Sequence, residues 1–312
     1  MKFAQIISVM FVTLACGSLA QAQSDRSFVS AHGSDNSDCG SSDLPCRTFG
    51  FALGKTNAGG DVIALDSGIY DNSSIIITQS MTLSAAPGAH VELFNTNGIC
   101  INVSAATSDI VVVRNLYLSR QSSADTTTTG FLVNSVGTLH IENCVVSGFG
   151  TGINIDVSAS SQASIQDTTI RGSSLVGIFV APSAGVTKVS IDRCRLQNTG
   201  PGAFGDGLEV FAHARVIVRD STGSGNTGAG FRARGGDLNI ENCEISNNDV
   251  GVAVSTLNTD TPTVTVSNSI VTNNRSFGFQ QSNTGVFHSL GNNVVRRNGT
   301  NTSGTITVIT GT

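Results

Sequence analysis

The chain has 312 residues, enough for one large domain, with only 12% charged residues, 35 glycines, no Trp and a formal net charge of −5. A mildly acidic chain without a basic stripe excludes the electrostatic footprint of a nucleic-acid-binding protein. Few long charged side chains among many Gly, Ser, Thr and Asn suit stacked strands joined by tight turns.

Residues 1–22 read as a secretory signal peptide. Lys2 precedes an apolar run from Ile6 to Leu14, and Ala20, Gln21 and Ala22 form a small-x-small cleavage site. The rival is a lipoprotein signal anchored at Cys16, in which Thr13 stands where Leu is usual. Nothing else is long and apolar enough to span a bilayer, so a secreted or periplasmic location is expected.

Residues 23–60 read as an N-terminal cap. Asp35, Asn36, Asp38, Cys39 and Asp43 lie in a Gly/Ser-rich loop. From Pro45 a short amphipathic helix is predicted, with Phe49, Ala52 and Leu53 on one face. Residues 61–312 read as a solenoid, beginning with strands at 61–65, 75–78, 81–83 and 110–113.

Two motifs then alternate. In one, an apolar and a polar residue precede Asn or Asp, followed by a small residue. Its apolar leaders are Ile141, Ile165, Ile191, Val218, Ile240, Val266 and Leu290, at spacings of 24, 26, 27, 22, 26 and 24. The other is Gly followed by apolar-x-apolar, starting at Gly98, Gly130, Gly152, Gly177, Gly207, Gly230, Gly251 and, imperfectly, Gly278. A fixed period of this size marks a solenoid in which each repeat buries its apolar face against its neighbours. Each repeat holds three short strands, and alternation turns Ile178 and Val180 inward and Phe179 outward.

Three strands per coil with an Asn at one bend resemble the right-handed parallel β-helix of the pectate-lyase type, from about Phe28 to the C-terminus. The start, with Gly33, Asp35, Cys39, the run from Pro45 to Phe49, Leu65, Asp66, Gly68 and Tyr70, is similar to a group of secreted bacterial β-helix proteins. The expected fold is therefore all-β, a right-handed parallel β-helix with a short capping helix.

Six cysteines remain after signal cleavage. Cys39 and Cys46, seven apart in an exported cap loop, are expected to form a disulfide. Cys144, Cys194 and Cys243 occupy one place in alternate coils, with Thr168 and Ser221 between them. Coils stack about 4.8 Å apart, which leaves these thiols roughly 10 Å apart, too far to bridge, so they read as a buried inert ladder. Cys100 is expected to point outward. The column of Asn115, Asn143, Asp167, Asp220, Asn242, Asn268 and Asn292, interrupted by Arg193, reads as stacked bend residues rather than metal ligands. No metal site is expected; a calcium ion in the loop 35–43 is the weaker alternative to a solvated loop.

Substrate clefts of the pectate-lyase type lie along the outward face of the post-Gly strand. On that face Asp206, Glu209, Arg232 and Arg234 fall on two adjacent coils, with Phe179, Phe211 and His213 as flanking substrate contacts. This is the densest gathering of acid, base, His and Arg in the chain. One expectation is a polysaccharide site, with the carboxylates as a glycosidase pair or an Arg abstracting a proton in a lyase. The other is a cross-coil ladder in which Glu209 pairs with Arg232 as a surface salt bridge. Asp206 and Gly207 resemble the Asp-Gly step of polygalacturonases, but that family's second Asp pair and its Gly-His-Gly and Arg-Ile-Lys motifs are absent. Function divides between a non-catalytic scaffold or glycan-binding protein and a lyase or hydrolase of acidic polysaccharides. An extracellular or cell-surface polysaccharide is the candidate partner, and the sequence does not set the oligomeric state.

Overall fold

A computed structural model describes residues 23–70, 73–95, 98–120, 126–200, 205–257 and 260–310. The expected signal peptide and the alternative lipid anchor at Cys16 lie outside the described residues. No helix among the described residues is long and apolar enough to cross a membrane.

The chain winds through three sheets in turn, and every strand pairs in parallel with its equivalent one coil away. Sheet A has 12 described strands and sheets B and C have 10 each. In one coil, Thr129–Ser135 lies in sheet C, Thr138–Glu142 in sheet A and Val145–Ser147 in sheet B, before Thr151–Ile155 returns to sheet C. The apolar leaders stack in register: Ile141 on Ile165, then Ile191, Val218, Ile240 and Val266. The last coil departs from the expected register, since Ser289 rather than Leu290 faces Val266. Gly291 supplies the left-handed bend there, with φ 77°.

The bend between sheets A and B explains its own composition. Asn115, Asn143, Asp167, Arg193, Asp220, Asn242 and Asn268 all have φ between 48° and 62°. Asn and Asp tolerate this left-handed conformation best among residues with a side chain. Their side chains also bond along the stack: Asn143 Nδ2 donates to Asn115 Oδ1 at 2.9 Å, and Asn292 Nδ2 to Asn268 Oδ1 at 2.9 Å. Arg193 fits by donating to both carboxylate oxygens of Asp167, at 2.8 and 2.7 Å.

The glycine column in sheet C has a different cause. A Cβ on these residues would run into the backbone of the next coil. A Cβ on Gly177 would lie 2.4 Å from the carbonyl oxygen of Gly207, and one on Gly207 2.6 Å from that of Gly230. Cys100, not Gly98, takes the equivalent place in the earlier coil, because Ile101 is the partner of Phe131. Cys100 is accordingly buried, contrary to the outward orientation expected from counting after Gly98.

At the N-terminus, Ser24–Val29 pairs with Thr56–Ala64 as the first strand of sheet A, and the latter strand runs across the expected 60/61 boundary. The helix is Phe49–Leu53, capped by Thr48, whose side chain accepts from the Phe51 N–H; Pro45 lies before it rather than in its first turn. Phe49 and Ala52 are buried, and Leu53 packs against the core. The Cys39–Cys46 disulfide closes the loop. Of the acids in the expected calcium loop, Asp35 accepts from the backbone N–H groups of Arg47 and Thr48, at 2.8 and 3.1 Å, and from the Thr48 hydroxyl at 2.8 Å.

Candidate functional site

Sheet C presents Val176–Val180, Asp206–Val210 and Ala229–Ala233 as neighbouring strands. Their register sets Phe179 beside Glu209, and Glu209 beside Arg232. Leu208 and Val210 fill the core, so Glu209 turns outward. The expected gathering of Asp206, Glu209, Arg232 and Arg234 on one face therefore exists, but its pairing differs from the expectation.

Arg232 bonds Asp206 rather than Glu209, with Nε donating to Oδ2 at 2.7 Å and Nη2 to Oδ1 at 3.3 Å. Glu209 instead accepts from Nε of Arg234. Nor is this a surface ladder. Asp206 is 0% and Glu209 1% exposed, and the arginine side chains retain 15% and 17% of their exposure. The reason lies in Asp206: a carboxylate with no access to water demands charged and hydrogen-bonding partners. It obtains them from Arg232 and from the backbone N–H of Ala229. Burial, then the nearby charge of Asp206, pushes the Glu209 carboxyl above its ordinary value, while Arg234 pulls it back.

The rings of Phe179 and Phe211 meet at 5.0 Å between centroids, tilted by 52°. Both are half-buried beside the ion pairs. His213 does not join them. It adopts φ 64° in the turn between sheets C and A and lines a small crevice with Arg215 and Asp237. Counting by alternation fails there because the strand ends at Val210.

The expected disulfide is present, while Cys144, Cys194 and Cys243 are buried and unbridged. Burial pushes the thiols of Cys144 and Cys194 up to about 12 and that of Cys243 to about 11, so none is a nucleophile near neutral pH. The alternation with hydroxyl residues has a cause: the N–H of Cys144 donates to Thr168 Oγ1, that of Cys194 to Ser221 Oγ and that of Cys243 to Ser269 Oγ.

Two features stand outside the repeat motifs. One is a buried amide column between sheets B and C. Asn226 Nδ2 donates to Asn248 Oδ1 at 2.9 Å, Asn248 to Asn274 at 3.1 Å, and Asn274 to Asn298 at 2.9 Å. Its signal was the Asn three or four residues before Gly230, Gly251 and Gly278. The other is the outer face of sheet A, where crevices open over Thr138, Gln162, Lys188 and Arg215. None of these crevices is lined by Asp206, Glu209, Arg232 or Arg234. This row occupies outward positions of the strand before each bend residue.

Three parallel sheets wound with one strand of each per coil define a parallel β-helix protein. The family model described as "Right handed beta helix region" matches residues 129–298, and the chain belongs to that family. Among solved structures, it is similar to an alginate lyase from Paenibacillus sp. strain FPU-7 at 15% identity and TM-score 0.62, covering 82% of this chain and 95% of that one. A similarity to pectate lyase Pel9A has 17% identity and TM-score 0.53, covering 90% and 76%. A similarity to the lacto-N-biosidase from Eubacterium ramulus has 11% identity and TM-score 0.54, covering 91% and 68%. At these identities the likeness is one of fold. No curated protein matches the chain.

Proposed function

We propose that the protein is an exported β-helix scaffold that binds extracellular carbohydrate without cleaving it. The observation that carries this reading is the state of the two sheet C carboxylates. A glycosidase pair needs one acid and one carboxylate facing the scissile bond. A lyase base needs a group free to take a proton from substrate. Asp206 and Glu209 are both buried and each is bonded by an arginine, so all four candidate groups face one another. The similarity in fold to two polysaccharide lyases and a glycosidase favours carbohydrate as the ligand class in this reading.

The test pairs binding with turnover on one panel of polysaccharides. Retention in affinity electrophoresis should occur with no rise in absorbance at the wavelength of unsaturated uronides and no new reducing ends. Product release by the wild type that disappears in Glu209→Gln or Arg234→Ala would overturn the non-catalytic reading.

A further inference from the structure

The crevices on sheet A form one groove. A hollow of 390 Å³ lies over the strands from Thr138 to Asn239. A second, of 550 Å³, shares Thr138, Gln162 and Lys188 with it and reaches Ile110. A third, of 180 Å³, shares Arg215 and reaches His213 and Asp237. The groove thus crosses consecutive strands. Its floor is an in-register row of Thr138, Gln162, Lys188 and Arg215. Beside this runs a second row in which His140, Ser164, Ser190 and Ile217 follow one another, coil by coil.

The charges in this groove are unbalanced. Lys188 and Arg215 are direct cross-strand neighbours, an arrangement that like charges disfavour. Asp237 stands 3.9 Å from Arg215 on the far side. The Lys188 ammonium has no ion pair among the described residues, and its side chain is exposed. The acids of the next outward row do not relieve it. Arg219 lies 3.7 Å from both Asp192 and Glu241, and the Ser190 hydroxyl bonds Asp192 at 2.6 Å. Two adjacent cations share the single carboxylate of Asp237, which pairs with Arg215 and leaves Lys188 uncompensated; on a chain of net charge −5, this local excess of positive charge is complementary to a bound anion.

The rest of the groove suits a sugar chain. Hydroxyl and amide side chains offer donors and acceptors, and Ile110 and Val186, 53% and 39% exposed, supply apolar contact at its edge. The coils repeat about every 4.8 Å, close to the length of one sugar residue in an extended chain. We propose that this groove binds an extended acidic polysaccharide, laid across the strands, with carboxylates of successive residues at Lys188 and Arg215. This rests on the carbohydrate-binding reading and names both the surface and the ligand class.

The experiment measures affinity for polygalacturonate, alginate and neutral dextran. It compares the wild type with Lys188→Glu, Arg215→Glu and the charge-neutralising Lys188→Gln. Arg195→Glu, on the exposed face of sheet B, is the matched net-charge control. Loss of a charge-assisted contact should weaken acidic-glycan binding by about tenfold or more in each reversal, and less in Lys188→Gln. Arg195→Glu should change it by about twofold or less, because a distant surface charge is screened. Equal weakening by all the charge-reversal variants would overturn the inference, as would equally tight binding of anionic lipid vesicles or DNA. Wild type that binds dextran but neither polyuronate would overturn the groove assignment and leave the proposed function standing. No binding to any glycan would overturn both.

Discussion

Arg234→Ala isolates the electrostatics of the sheet C face. Glu209 is 1% exposed and its carboxylate is held by the Arg234 guanidinium. Removing one partner of a buried pair leaves an uncompensated charge and typically costs about 3–5 kcal/mol. An exposed pair would cost only about 0–1 kcal/mol. With a urea slope of about 3 kcal/mol/M, the unfolding midpoint should fall by roughly 1 M or slightly more. The cost should also depend on pH. Burial and Asp206 already raise the Glu209 carboxyl above its ordinary value, and the variant loses the Arg234 charge that opposes them. The folded variant then holds the Glu209 proton more tightly than the unfolded chain does. The penalty is therefore absent below the ordinary glutamate value of 4.5 and grows as pH rises through the raised folded value. Urea titrations of wild type and variant at pH 4.5, 6 and 8 should show a gap that widens upward. Glu209→Gln combined with Arg234→Ala should be more stable at pH 8 than Arg234→Ala alone. A gap under about 1 kcal/mol, or one independent of pH, would show that Glu209 is not carried as a buried charge.

Gly177→Ala should destabilise by about 1–3 kcal/mol or more, since its Cβ would meet the Gly207 carbonyl oxygen at 2.4 Å; an unchanged melting temperature would refute the close approach of these coils. Asn248→Ala removes the bridge between Asn226 and Asn274 and strands buried amide groups, at about 1–3 kcal/mol per unsatisfied group; hydrogen exchange should accelerate at the neighbouring coils, and uniform protection would count against the column. Cys144, Cys194 and Cys243 should resist a thiol reagent at pH 8 until denaturant is added, because burial raises all three thiols; rapid native labelling would contradict their inward placement.

The architecture was legible because a solenoid writes its geometry in one dimension. The bend needs left-handed residues, so Asn and Asp recur at the coil period, as at Asn143 and Asn242. In sheet C from Gly130 onward a Cβ would meet the backbone of the next coil, so glycine recurs with them, as at Gly177 and Gly207. Alternation alone placed Phe179, Glu209 and Arg232 on one face, and the seven-residue spacing of Cys39 and Cys46 led to their disulfide. Local counting failed where the chain leaves the repeat: at Cys100, His213 and Leu290, an altered start, a turn or an inserted residue shifts the register.

Which charges meet, and whether water reaches them, was decided only by the tertiary structure. Register makes Arg232 the neighbour of Glu209, but the long guanidinium side chains reach diagonally, and the fully buried Asp206 claims Arg232 and leaves Arg234 to Glu209. Burial depends on what covers a face, which no periodicity encodes. Here it leaves Asp206, Glu209, Arg232 and Arg234 as two ion pairs with buried carboxylates. The sheet A groove is the converse case: Thr138, Gln162, Lys188 and Arg215 are far apart in sequence, and only the stacking of four coils lines them up.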